Sequence, residues 1–96
     1  MKQFEEQKSW ILFTLYSYRV DGAKSQVDIK DVWDMLAVET AAFNGFPDYY
    51  DCLTRMRKRG LIDLRYPPKK TVMNLTFYGL DEAAAEYNNR KRLMEA

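Results

Sequence analysis

The sequence predicts a mainly α protein with a small β-hairpin, an α+β arrangement in the order helix, short strand, helix, helix, two strands, helix. Three observations predict it. Four segments read as helices from their apolar spacing and their end signals. Two shorter runs, "LIDLRY" and "TVMNLTF", alternate instead, with the basic tip "PPKK" between them. The 96 residues contain no internal repeat, low-complexity tract or long linker, which fits one domain over residues 1–96.

The first helix is expected over residues 3–19. Phe4, Trp10, Ile11, Leu12, Phe13, Leu15, Tyr16 and Tyr18 make it apolar nearly all round. Such a helix wants neighbours on both sides, as a central core helix or as one that also meets a partner subunit. "DGAKSQ" then breaks the chain at Gly22, and Val27 is a candidate for a short strand. The second helix, expected over 28–39, opens at Asp28, with Asp31 three residues on as a variant of the capping box. Ile29, Val32, Trp33 and Leu36 form its inner face, and Asp28, Lys30, Asp31 and Asp34 its solvated one. Whether residues 38–47 are helix or loop stays open, although Asn44-Gly45 is a turn signal.

Pro47 suits the first turn of a third helix over 47–59, where its missing N–H costs nothing. Tyr49, Cys52, Leu53 and Met56 recur at helical steps as its buried face. Gly60 ends it as a left-handed cap across which Leu61 can pack. The hairpin is expected over 61–77, with Ile62, Leu64 and Tyr66 on one face and Met73, Leu75 and Phe77 as the matching set. Pro67, Pro68, Lys69 and Lys70 form a loop of the four-residue class. The prolines remove no ladder hydrogen bond there, and they stiffen the tip that presents the lysines. Thr76 can cap the last helix, over 77–95, whose face is Leu80, Ala83, Ala84, Tyr87 and Met94. That helix outruns anything the hairpin can cover, which predicts dimerisation through it.

Composition excludes more than it selects. The chain has no histidine and one cysteine, so it lacks the commonest general base and the commonest metal ligands. It carries no glycine-rich phosphate loop, nucleophile elbow or paired CxxC. The expectation is therefore no enzyme, no catalytic residue, no metal and no cofactor. No apolar run reaches the length of a membrane span, and "MKQFEEQKSW" has no signal-peptide shape, so an intracellular, cytoplasmic protein is expected. Cys52 cannot form an internal disulfide, which fits a reducing compartment, and its place on a buried face argues against a redox switch. A pocket near Trp10, Phe13 and Trp33 could hold an apolar effector, although such aromatics are more often core.

Charge is unevenly spread. Residues 1–46 carry 5 basic and 7 acidic side chains, residues 47–70 carry 7 and 3, and residues 71–96 carry 3 and 4. A net charge of +1 thus hides a basic centre made of the third helix and the hairpin. Arg57, Lys58 and Arg59 also complement the helix dipole, so basicity alone does not name a partner.

Two stretches carry a resemblance. "CLTRMRKRGLI", Cys52 to Ile62, looks like the end of a recognition helix running through its glycine cap into a first wing strand. "NLTFYGLDEA", Asn74 to Ala83, is similar to the segment after the wing, where a leucine, a threonine and a glycine open the last helix. With the element order, the chain from Val27 to Tyr87 resembles the winged helix-turn-helix superfamily of DNA-binding transcriptional regulators. The resemblance implies binding to double-stranded DNA, and with the overlong C-terminal helix and the apolar first helix the expectation is a small homodimer joined through those two helices. It places the third helix in the major groove, with Asp48, Tyr50, Asp51, Thr54, Arg55 and Lys58 facing outward. Tyr50, Thr54 and Arg55 become contacts, Arg55 being suited to read guanine. Lys58, Arg65, Lys69 and Lys70 become contacts to phosphates or the minor groove. Two features depart from the pattern: the negative charge of Asp48 and Asp51, and the length of "AVETAAFNGFP" before the third helix. They keep open an alternative, a winged-helix module that binds protein and not DNA.

Overall fold

The computed structural model describes residues 2–20, 26–36 and 42–95. The elements are α1 (Lys2–Val20), β1 (Val27–Asp28), α2 (Ile29–Leu36), α3 (Phe46–Lys58), β2 (Ile62–Arg65), β3 (Val72–Leu75) and α4 (Phe77–Glu95). The expected α+β class and element order are thus observed. The short strand is real: the sheet has three antiparallel strands in the order β1-β3-β2.

Each junction has a local cause. The Asp28 carboxylate accepts from the Lys30 N–H at 2.9 Å and caps α2, while the Ile29 N–H donates to the Thr71 carbonyl at 3.0 Å and ties the helix start to the sheet. Tyr49, fully buried on α3, donates its hydroxyl to the Ile29 carbonyl at 2.7 Å. At the end of α3 the Leu61 N–H reaches the Met56 carbonyl and the Gly60 N–H the Arg57 carbonyl, each at 3.0 Å. This is a Schellman cap, and Gly60 has the left-handed φ of 77° that it needs.

The next junction explains the threonine and glycine that open α4. Thr76 caps that helix by accepting from the Gly79 N–H at 3.0 Å, and its hydroxyl donates back to the Gly60 carbonyl. Its own N–H donates to the Leu61 carbonyl at 3.1 Å. A Cβ on Gly79 would lie 1.8 Å from the Leu61 oxygen, so only glycine lets α4 start this close to the cap of α3.

The core gathers Ile11 and Leu12 of α1, Val32 and Leu36 of α2, Leu53 and Met56 of α3, and Ile62 and Met73 of the sheet. The outer side of α1 packs on α4. Tyr87 stacks on Phe13 at 5.6 Å between ring centroids and leans on Tyr16 at 5.1 Å. Ser9 donates to Glu86 at 2.7 Å and accepts from Arg90 at 2.6 Å, and the Arg90 guanidinium lies 3.8 Å from the centre of the Trp10 ring. The C-terminal helix therefore finds its cover in α1 of the same chain, a neighbour that local periodicity could not supply.

Several local expectations need correction. Tyr66 and Phe77 do not continue the inward alternation of the hairpin: they are 57% and 93% exposed. Tyr66 stands beyond the end of β2, and Phe77 already belongs to the first turn of α4. The strands close at Arg65 opposite Val72, leaving six residues, 66–71, between them and not four. Trp33 packs away from Trp10, in an aromatic cluster with Phe43, Phe46 and Tyr49. The α2 helix is described only to Leu36, so the expectation for 37–39 falls outside the described residues, as do the side chains of Tyr18 and Met94. From Ala42 to Gly45 the connection is not α-helical.

Candidate nucleic-acid interface

Tyr49, Cys52, Leu53 and Met56 hold α3 to the core, so its opposite side is free by geometry. Each residue turns the helix by about 100°, which puts Asp51, Thr54 and Lys58 near the middle of the outward face. Asp51 and Lys58 are exposed, and Thr54 is half-buried with its hydroxyl donated to the Tyr50 carbonyl at 3.1 Å.

The flanks of that face are built from other elements. On one side Tyr50 meets Tyr66 at the loop end of β2, and the hydrogen bond between the two phenols, followed by burial, raises the Tyr50 phenol above its ordinary pKa. On the other side the Arg55 guanidinium lies 4.1 Å from the centre of the Phe4 ring, and Arg59 lies 4.6 Å from the same ring. Arg59 also reaches Glu5 at 3.7 Å. The Glu5 carboxyl is held below its usual range, first by a hydrogen bond from Lys8 and then by the charges of Lys8 and Arg59. Arg55, exposed and held by a ring without a counter-charge, keeps its hydrogen-bond donors available.

Asp48 is accounted for by the fold. Gly45 opens α3 with no side-chain cap, and the carboxylate of Asp48, in the first turn, accepts from the Asn44 N–H at 2.8 Å and from the Gln7 amide at 3.1 Å. It secures the start of α3 against α1 and the preceding loop. Asp51 is then the acidic group left on the outward face.

The hairpin tip turns through Pro67–Lys70, with the Lys70 N–H on the Pro67 carbonyl at 3.3 Å. Pro68 takes the second position, and Lys69 takes the third with φ 71°, as in a type II turn. That conformation costs an L-residue about 1–2 kcal/mol, yet the position holds lysine and not glycine. Arg65, Lys69 and Lys70 are all exposed.

Ion pairing is unevenly spread over the molecule. Lys8, Arg59 and Arg90 have carboxylates within 4.0 Å, all supplied by α1 and α4. Among the described residues nine cations form no ion pair: Arg55, Arg57, Lys58, Arg65, Lys69 and Lys70, together with Lys30 on α2 and Lys91 and Arg92 late in α4. Six of the nine lie on α3 or the hairpin. Arg57 thus joins the sequence candidates, and Phe4 and Tyr66 are supporting residues that only the tertiary structure reveals. Cys52 is no rival site: burial pushes its thiol up to about 12, where it stays protonated and unreactive. Among the described residues no cluster of three metal-ligating side chains occurs, and no helix is long and apolar enough to cross a membrane.

No protein-family model matches the chain, and no curated protein sequence does. A solved structure does: the crystal structure of SSV1 F-93 superposes with a TM-score of 0.72, over 93% of this chain and 90% of that one. The fold is winged-helix-like. At 15% sequence identity the likeness shows the fold alone. In such a fold β2 and β3 form the wing that follows α3.

Proposed function

We propose that this chain binds double-stranded DNA as a homodimer and acts as a transcriptional regulator, with α3 in the major groove and the wing on the backbone. The observation that carries this reading is the set of unpaired cations. Near-neutral overall, the chain pairs Lys8, Arg59 and Arg90 with carboxylates of α1 and α4, and six of the nine described cations left unpaired, Arg55, Arg57, Lys58, Arg65, Lys69 and Lys70, gather along one helix and one loop. Phosphates are the partner such a stripe fits. Tyr50, Thr54 and Arg55 are the proposed groove contacts, and Lys58, Arg65, Lys69 and Lys70 the proposed backbone contacts. Dimerisation through the sides of α4 and α1 left free of their mutual seam would fit two half-sites about one helical turn of DNA apart.

Fluorescence anisotropy against random duplex DNA tests the reading. Affinity should fall steeply with salt, and Lys69→Ala with Lys70→Ala should weaken binding and lower the log–log salt slope by about 1.8, or 0.9 per lost phosphate contact. Unchanged affinity in that variant removes the wing from the interface. One observation favours a second reading, a protein-interaction module: Phe77 and Tyr78 are 93% and 59% exposed at the start of α4. Absence of duplex binding at low salt, with a protein partner retained at high salt and lost in Phe77→Ala, would establish it instead.

A further inference from the structure

Between α1, α2 and α4 lies an open pocket of about 430 Å³, edged by the exposed Met35 and Leu93 and within the range of small-molecule sites. Its lining is distinctive chemically. Trp10 and Phe13 supply two aromatic walls, set edge to face at 6.0 Å between centroids. Thr14 and Ser17 donate their hydroxyls to the Trp10 and Phe13 carbonyls at 2.8 and 2.9 Å, which leaves only oxygen lone pairs toward a ligand. Arg90 is the one charged side chain among the described lining residues. Its guanidinium lies 3.8 Å from the centre of the Trp10 ring and is mostly desolvated, with 24% of the side chain exposed. Its charge is incompletely matched: Glu86 lies 4.0 Å from Nε, beyond hydrogen-bond range, and that buried Nε has no hydrogen-bond partner. An underpaired, desolvated guanidinium beside an aromatic slot favours a flat anion.

We propose that this cavity binds a small aromatic carboxylate, its ring against Trp10 and Phe13 and its carboxylate beside Arg90. A carboxylate gives Arg90 a second and closer counter-charge than Glu86 at 4.0 Å, and a ring that carries an N–H finds acceptors on Thr14 and Ser17. A neutral amide of the same shape keeps the ring contacts and loses the charge, and an amine is repelled.

The test compares indole-3-acetate, indole-3-acetamide and tryptamine by ¹⁵N NMR of the full chain. Its two tryptophans, Trp10 and Trp33, give two indole signals, assigned with Trp33→Phe. Indole-3-acetate should move the Trp10 signal and spare Trp33, with a Kd at least roughly tenfold below that of the amide and tryptamine weakest. Arg90→Met should erase the preference for the acid. Should Arg90→Met fail to fold, Ser17→Leu, which fills the cavity from α1, should abolish binding of all three. Equal affinity for acid and amide overturns the proposal, and so does a Trp10 signal unmoved by roughly 10 mM acid. A Trp10 signal that shifts on protein dilution and ignores the acid also overturns it, and assigns the cavity to a second copy of the chain. The assay contains no DNA, so its outcome is independent of the interface proposed on α3 and the wing.

Discussion

The seam between α1 and α4 and the face formed by α3 and the wing use the same residue types in opposite ways. In the seam, Ser9 bridges Glu86 and Arg90, Lys8 lies between Glu5 and Glu82, and Tyr87 stacks on Phe13. On the other face, Lys58, Arg65, Lys69 and Lys70 stand exposed with no carboxylate within ion-pair range. Of the nine described cations without an ion pair, six belong to this face, Arg55 and Arg57 included, and only Lys30, Lys91 and Arg92 lie elsewhere. A net charge near zero would have predicted indifference to polyanions. Pairing is the better guide, because a matched charge has spent its field locally and an unmatched one has not.

The two regions meet where Thr76 and Gly79 of α4 rest on Gly60 and Leu61, and breaking that joint should have the largest effect. Gly79→Ala puts a Cβ into the Leu61 carbonyl, which is backbone and cannot turn aside. A loss of about 3 kcal/mol or more is expected from overpacking, read as a lower urea midpoint. A midpoint within error of the parent would mean that α4 can lift from the cap of α3 without cost.

This joint also shows how far the sequence could be read. Gly60, Thr76 and Gly79 are legible because caps and close approaches demand particular residues at fixed local offsets. The same holds for the inner face of α3, where Tyr49, Cys52, Leu53 and Met56 follow the helical period. The seam was not legible. Ser9 and Arg90 are 81 residues apart, and no local pattern pairs a serine with an arginine at that distance. Likewise, Phe4 under Arg55 and Tyr66 beside Tyr50 depend on how α1 and the wing flank α3. The inward alternation failed at Tyr66 and Phe77 for a related reason: a strand's period ends where the strand ends, and sequence gives that boundary least well.

A crossed pair of variants sharpens the contrast between the regions. Ser9→Ala removes two hydrogen bonds to charged groups at a buried position. It should cost about 1–2 kcal/mol of stability and leave DNA affinity at fixed salt unchanged. Lys58→Ala should do the reverse: stability within about 0.5 kcal/mol of the parent, weaker duplex binding, and a salt slope lower by about 0.9. Loss of stability in Lys58→Ala, or of DNA affinity in a fully folded Ser9→Ala, would blur the contrast between the seam and this face.

The smallest effect is expected at the wing tip, and its sign is the informative part. Lys69 sits at φ 71°, a backbone state that glycine adopts without strain. Lys69→Gly relieves about 1–2 kcal/mol of strain, while the freer unfolded chain takes back about 0.4–1 kcal/mol. The net should be a gain of about 0.5 kcal/mol, together with the loss of one phosphate contact. Lys69→Ala loses the same contact without relieving the backbone, so the two variants should match in DNA affinity and differ in urea midpoint. That outcome would mean a cation is kept at the tip at a cost to the fold, which a merely solubilising loop gives no reason to do. If Lys69→Gly binds DNA as tightly as the parent, the strained lysine has no role on the backbone, and the wing's contribution rests on Arg65 and Lys70.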